Sequence, residues 1–344
     1  MQAMMLTGLR AMEMREVPMP AIKAETDVLL RLAAVGVCGS DIHYYTTGKI
    51  GSQVVQYPFT VGHECAAVVE RVGAAVTRVK PGDRVAVEPA MACGQCDQCR
   101  SGRPHTCRRL KFLGCPGQAE GGLAEFLVMP QECCFPVAAG MTFEQAALSE
   151  PLAIGFYAVR RALSIKGARI AILGAGPIGL SVLVCARTMG ARAIYVSDKI
   201  DTRLAAAKAA GAAWVGNPDQ VDIVKAVGAR EPLLLDAVFE CCGQQSAVDQ
   251  GIELLQPGGK LMLVGIPEAE RVSFVIDRAR RKELDIRNVR RQCECLHPTL
   301  ALMAAGLLQA DFMMTHRFRL DQTKEAFDLV AAYRDGVVKA MIAF

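Results

Sequence analysis

No stretch of this chain is apolar for long enough to cross a bilayer. The longest candidate, residues 170–186, is broken by glycines and a proline and reads as strand, turn and helix. Residues 1–10 carry no charged leader followed by an apolar core, so no signal peptide is expected and the cytoplasm is the default compartment. No long block of one charge is present. Lys and Arg number 39 against 35 Asp and Glu, for a net charge of +4, and the cluster Arg287, Arg290, Arg291 is short. Neither a nucleic-acid nor a membrane partner is therefore expected. Nor is apolar material lacking: 52% of residues are hydrophobic and 22% charged, which excludes a disordered chain. The length of 344 residues leaves room for two domains, each with its own core.

Cysteine, by contrast, is plentiful, with fourteen residues. Without a leader, a disulfide framework is the weaker reading. Four cysteines stand together: Cys93, Cys96, Cys99 and Cys107 form C-x2-C-x2-C-x7-C. Four thiolates so close can complete a tetrahedral shell around one zinc, and a shell with no open position is structural. An iron–sulfur cluster is the competing sulfur-only reading. Cys65, Cys133, Cys134, Cys185, Cys241 and Cys242 lie among apolar residues and read as small core hydrophobes. Cys115, Cys293 and Cys295 carry no assignment.

A second set of metal donors is mixed. Cys38 follows Gly36-Val37, and Gly62-His63-Glu64 comes later in the chain. Thiolate, imidazole and carboxylate together suit zinc with a position left for substrate. Glu150, in Ser149-Glu150-Pro151, is a fourth candidate ligand or a water contact. Asp41 is near enough in sequence to accept the other N–H of a ligand histidine. A structural role for the Cys and the His-Glu pair is the alternative. Around these residues, short strands punctuated by Gly and Pro predict a β-rich or barrel-like domain over about the first 150 residues. Strands are expected at 4–18, 27–36, 66–72 and 84–88.

The middle of the chain changes character. An apolar run at 168–173 leads into Gly174-Ala175-Gly176-Pro177-Ile178-Gly179 and a helical stretch, which is strand, G-x-G-x-x-G, helix. Such a turn brings backbone N–H groups and a helix N-terminus to a pyrophosphate. The next strand ends at Asp198, 19 residues after Gly179, where an acid binds the adenosine ribose and repels a 2′-phosphate, favouring NAD over NADP. Arg203 is placed to face the adenosine end. Alternating strands and helices continue to 265, with Pro257-Gly258-Gly259 read as a turn, giving a doubly wound parallel sheet. Val264, Gly265, Ile266 and Val289, Arg290, Arg291 are candidates for the nicotinamide end or plain strand ends. The last part reads as helices at 298–308 and 324–333 and strands at 316–320 and 339–343, returning to the first domain. His297 and His316 read as structural.

Taken together, Gly62-His63-Glu64, the four-cysteine lobe and Gly174 to Gly179 resemble the zinc-dependent medium-chain alcohol dehydrogenase family along essentially the whole chain. Cys38 to Tyr45, Gly48-Lys49-Ile50-Gly51, Val87-Glu88-Pro89, Glu150-Pro151-Leu152 and Thr315 to Phe318 are similar to its polyol branch, the sorbitol, xylitol or L-iditol 2-dehydrogenase type. The resemblance implies an α/β protein with a GroES-like β-rich catalytic domain (1–150 and 291–344) and a Rossmann NAD-binding domain (151–290). It implies one catalytic zinc on Cys38, His63 and Glu64 or a water, with Glu150 nearby, and one structural zinc. It implies oxidation of a polyol's secondary alcohol to a ketose, with NAD taking the hydride. Ser40 and His43 match the proton-relay positions, Tyr44 borders the polyol, and Ile178, Asp198, Arg203, Val264 to Ile266 and Val289 to Arg291 line NAD. A homotetramer or homodimer is implied.

Two departures bear on substrate. The branch typically has Phe-Arg-Tyr where this chain has Arg290-Arg291-Gln292, and a second guanidinium favours an anionic substrate such as a sugar acid or sugar phosphate. Residues 113–117 replace an expected Thr-Pro-Pro stretch. An L-threonine dehydrogenase and an inactive NAD-binding scaffold are the remaining alternatives. Tyr44-Tyr45 and Glu150-Pro151 speak against the first, and Cys38, His63 and Glu64 together against the second.

Overall fold

The computed structural model describes residues 1–267 and 269–344. The chain divides into two units. The first comprises Met1–Glu150, Leu296–Ala304 and Met314–Phe344; the second comprises Pro151–Cys295 and Ala305–Met313. The return expected at 291 is thus drawn later and in two pieces.

The first unit is built on a seven-stranded sheet. Along its main path the order is Cys134–Pro136, Arg84–Val87, Glu64–Val72, Asp27–Gly36, Lys339–Ala343, Met314–Arg319, with Phe126–Pro130 also paired to Asp27–Gly36. Asp27–Gly36 is central because its run of Val, Leu and Ala is buried almost throughout, as a strand covered on both faces must be. Its partners run antiparallel, with Gly36 opposite both Glu64 and Met341. That register matters: the end of the central strand, the start of Glu64–Val72 and the start of Lys339–Ala343 meet at one edge of the sheet. Leu30, Leu32, Val61, Cys65, Leu123 and Phe327 belong to the core cluster beneath. The stretch expected as one strand at 4–18 is a hairpin, Gln2–Gly8 with Ala11–Glu16.

The second unit is a six-stranded parallel sheet. Its order is Trp214–Gly216, Ala193–Ser197, Arg169–Leu173, Leu235–Glu240, Leu255–Leu263, Asp285–Asn288. The first strand in the chain lies mid-sheet, with the second on one side and the fourth on the other. This order reversal is the switch point at which doubly wound sheets bind nucleotides. Helices Pro177–Thr188, Asp201–Ala209, Ile223–Gly228 and Gln245–Leu254 connect the strands. Pro177 opens its helix, where a missing N–H costs nothing.

Pro257-Gly258-Gly259 is not a turn. It lies inside the strand Leu255–Leu263, where the partner of Leu235 is Leu255 but that of Ala237 is Lys260. The proline lacks a ladder donor and Gly258 has φ +76, so the segment is absorbed as a bulge while the strand continues. The two late helices are shorter than expected, at Leu296–Ala304 and Thr323–Ala331. Cys65, Cys133, Cys134 and Cys185 are buried as expected, and so are Cys115, Cys293 and Cys295. Cys242 is exposed, because it lies in the loop leaving Leu235–Glu240 and not in the strand itself.

Candidate metal centres and coenzyme site

Cys38 leaves the central strand and caps the helix Gly39–Thr47, with the extended backbone of an N-cap. Asp41, in the first turn and fully buried, organises the surroundings. Its Oδ2 accepts from the Cys38 backbone N–H at 3.1 Å, and its Oδ1 accepts from the Gly62 N–H at 3.3 Å. Oδ1 also lies 3.4 Å from Nδ1 of His63, which leaves Nε2 as the nitrogen available to a metal. Glu64 follows at the start of its strand. The donor atoms of Cys38, His63 and Glu64 all lie within 4.8 Å of one another. His63 and Glu64 are buried and Cys38 only half-buried, so access is from the Cys38 side. The Phe112 ring packs on the His63 imidazole with centroids 5.3 Å apart.

The charge balance of this cluster suits a cation. Burial alone pushes His63 down, but the Asp41 carboxylate and the Cys38 thiol beside it hold its imidazole well above the ordinary histidine range. Burial pushes Glu150 up to about 8, and the carboxylates of Glu64 and Glu88 add to the shift while His63 and Lys339 oppose it. Glu150 is not one of the three clustered donors. It sits in the helix Phe143–Ala162, just before Pro151.

Sequence reasoning missed Lys339. This lysine is 1% exposed, and its ammonium donates to both Glu64 oxygens, at 2.6 and 2.7 Å, and to the Val37 carbonyl at 3.0 Å. The only local signal is a cation opening an apolar strand. Glu240 was missed for the same reason. Buried at the end of its strand, its Oε1 accepts from the Cys242 and Gly243 N–H groups at 2.8 and 2.6 Å.

Ser40 donates its hydroxyl to Cys38 Sγ at 3.3 Å, and His43, half-buried, lies on the same helix one turn on. Tyr44 is buried, and its hydroxyl donates to Gln53 Oε1 at 3.2 Å and lies 3.7 Å from Cys115 Sγ.

The cysteine lobe is local and tight. Its sulfurs stand 3.5 Å (Cys96 and Cys99), 3.8 Å (Cys96 and Cys107) and 4.0 Å (Cys93 and Cys99) apart. Four sulfurs at about 2.3 Å from a tetrahedral zinc are about 3.8 Å from each other, so the donor set fits that ion. Backbone N–H groups of Cys93 and Arg109 donate to Cys107 Sγ at 3.3 Å each. Such bonds favour thiolate: the N–H groups of Gln95 and Cys96 draw the Cys93 thiol down to about 6.

In the second unit the expected coenzyme residues share one edge. Ser197, Leu173, Glu240, Leu263 and Asn288 form a continuous register across the sheet. Asp198, Gly174, Val264 and Val289 each follow directly, at the carboxyl ends of their strands. A methyl at Gly179 would overlap the Gly174 carbonyl oxygen, so only glycine lets the helix pack this close to the turn. Asp198 accepts from the Ala175 N–H at 2.6 Å and the Ile200 N–H at 2.8 Å. Each carboxylate oxygen retains a lone pair for a ribose hydroxyl. Arg203 is buried with Nη1 against Gly176. Gly176 caps the helix that carries Ile178. Val264 and Gly265 donate to the Glu240 carbonyl at 2.9 and 3.0 Å, and Ile266 is exposed. Arg290 is exposed, Arg291 is half-buried with φ +56, and Gln292 is buried, its amide oxygen accepting from the Cys295 N–H at 2.6 Å.

Residues 24–139 match the family described as alcohol dehydrogenase GroES-like domain, and residues 177–305 match zinc-binding dehydrogenase. The chain is 33% identical to a sorbitol dehydrogenase of Bacillus subtilis, over 99% of this chain and 97% of that one. It is also 33% identical to an L-idonate 5-dehydrogenase of Vitis vinifera, over 95% and 90%. Among solved structures, an Escherichia coli oxidoreductase/dehydrogenase of unknown specificity superposes with a TM-score of 0.94 at 30% identity, covering 99% of this chain and 98% of that one.

Proposed function

Because the chain belongs to the zinc-dependent medium-chain alcohol dehydrogenases, in the polyol branch, we propose that it oxidises a secondary alcohol of a sorbitol- or xylitol-like polyol to a ketose, with NAD as acceptor. The observation that carries this reading is the convergence of the Cys38, His63 and Glu64 donor atoms. Cys38, His63 and Glu64 would hold a catalytic zinc, and Cys93, Cys96, Cys99 and Cys107 a structural one. Bound zinc supplies a Lewis acid that lowers the pKa of a substrate hydroxyl, and bound NAD supplies the hydride acceptor.

The chain's own residues do the rest. Asp41 fixes the ring and tautomer of His63. Ser40 Oγ has lone pairs to take the substrate's hydroxyl proton, and its own proton turns from Cys38 Sγ toward His43, which passes the charge outward. Phe112 shields one side of His63 from water. Glu150 orients a water or enters the metal shell. Tyr44 and Gln53 border the polyol chain. The turn from Gly174 to Gly179 receives the pyrophosphate with Arg203 behind it, Asp198 the ribose, and Val264 to Ile266 with Val289 to Arg291 the nicotinamide end. A cytoplasmic enzyme, acting as a dimer or tetramer, belongs to the same reading, and a chain rich in cysteine with no disulfide among the described residues supports the compartment.

Arg290-Arg291-Gln292 and the L-idonate relative favour a second reading, a sugar acid as substrate. NADH formation across sorbitol, xylitol, L-idonate, a sugar phosphate and L-threonine separates them. The polyol reading expects the largest kcat/KM for sorbitol or xylitol. A larger value for L-idonate transfers the assignment to sugar acids, and one for threonine removes the polyol branch's substrate altogether.

A further inference from the structure

Asp198 follows the strand Ala193–Ser197, and the next residue is a lysine. A carboxylate at that place accepts ribose hydroxyls and repels a 2′-phosphate, whereas a cation beside it attracts one. Asp198 and Lys199 thus make opposite demands on the coenzyme. The lysine's charge, however, is already engaged. Its ammonium lies 2.9 Å from Asp219 Oδ1, in the loop that leaves Trp214–Gly216, the edge strand of the parallel sheet.

Both side chains of this pair are exposed, and an exposed ion pair is ordinarily weak because two flexible chains must be ordered to make it. Here a third residue orders them. Asn217 is buried, and its side chain bonds the backbone at both ends of the pair. Its Nδ2 donates to the Lys199 carbonyl at 3.1 Å, and its Oδ1 accepts from the Asp219 N–H at 3.0 Å. Nδ2 also donates to Asp201 Oδ1 at 2.9 Å, in the first turn of the next helix. The Asp198 N–H meets the Gly216 carbonyl at 3.3 Å. Two loops from neighbouring strands are therefore clamped together with Lys199 set against Asp219.

We propose that Asp219 is a second determinant of coenzyme choice: it holds the Lys199 ammonium in an ion pair, so that the cation next to the ribose carboxylate cannot serve a 2′-phosphate. The proposal rests on Asp198 as the ribose ligand. NAD carries a plain 2′-hydroxyl and needs no cation there. NADP meets the Asp198 carboxylate and a lysine whose charge is neutralised. Preference for NAD is then set by two carboxylates, one at the ribose and one behind the lysine.

The test is equilibrium binding of NADPH and NADH, followed by coenzyme fluorescence, to wild type, Asp219→Asn, Lys199→Met and the double variant. Asp219→Asn keeps the shape of the side chain and the backbone bond to Asn217. It is expected to tighten NADPH about fivefold, the upper scale of an exposed ion pair, and to leave NADH within about twofold. Lys199→Met alone is expected to move neither coenzyme by more than about twofold. Added to Asp219→Asn, it is expected to remove the NADPH gain, and high salt is expected to shrink that gain in the single variant. Unchanged NADPH affinity in Asp219→Asn overturns the proposal, because the pair then has no influence on coenzyme choice. A gain that survives Lys199→Met also overturns it, by making Asp219 a plain repelling charge. Equal weakening of both coenzymes does so too, by reducing the pair to a structural clamp. Asp198→Asn keeps the two readings apart: wild-type NADH affinity in that variant fails the ribose assignment itself, whatever Asp219→Asn shows.

Discussion

The two cysteine-containing clusters of the first unit solve the same problem differently. In the lobe, four like donors from one short segment converge, their sulfurs 3.5 to 4.0 Å apart, steadied by backbone N–H groups. In the other cluster three unlike donors come from the end of one strand and the start of another, and charged side chains steady them: Asp41 beside His63, and Lys339 on Glu64. A homogeneous shell held by backbone is closed and rigid. A mixed set of three donors held by side chains would leave a tetrahedral metal one position for a substrate oxygen. The difference is one of chemistry allowed, and not only of sequence spacing.

The comparison breaks most visibly in turnover. Cys38→Ser is expected to lower kcat/KM by about a thousandfold or more, equivalent to about 4 kcal/mol of lost transition-state stabilisation, with the circular-dichroism spectrum unchanged. Cys107→Ser is expected to do the reverse. It lowers Tm by roughly 5–10 °C but leaves kcat per folded molecule within about twofold, as scanning calorimetry and single-turnover assays would report. Equal effects of the two substitutions on both readouts would erase the distinction.

In the second unit, Asp198→Asn keeps the shape and removes the charge. It is expected to raise KM for NAD about tenfold with little change in kcat, and to narrow the preference over NADP, by steady-state kinetics with both coenzymes. A fourth variant probes Glu150. Its folded pKa is raised from 4.5 to about 8. The stability linked to this group is fully present below the ordinary carboxylate pKa and is lost as pH rises toward 8. The Tm of Glu150→Gln relative to wild type is therefore expected to climb between about pH 5 and 8 and then level. The climb is larger in zinc-free protein, because a cation next to the carboxyl favours its ionised form.

How much of this was legible in the sequence follows from distance along the chain. The lobe lies within residues 93–107, and the glycine turn at Gly174 to Gly179 is followed closely by Asp198, so spacing alone nominated both as candidates. The mixed cluster depends on sheet register, Gly36 against Glu64 and Met341, which no spacing rule states. The residues could be nominated by type, and the family resemblance put them together. Lys339 lies 275 positions from its partner and reads locally as any strand residue. Glu240 was hidden in the same way, as an acid closing an apolar strand. The Pro257-Gly258-Gly259 segment misled in the other direction: residues that usually turn a chain were carried inside a strand by a bulge, because Leu255 before it and Lys260 after it pair with the same neighbouring strand.

The measurement that bears most directly on two unlike metal sites is metal content per chain, by atomic absorption, on wild type, Cys38→Ser and Cys107→Ser prepared with zinc. Two zinc ions in wild type and one in each variant, with turnover surviving only where Cys38 is intact, is the expected result. One zinc in wild type that survives Cys38→Ser, with NADH formation undiminished, would contradict a catalytic metal at Cys38, His63 and Glu64.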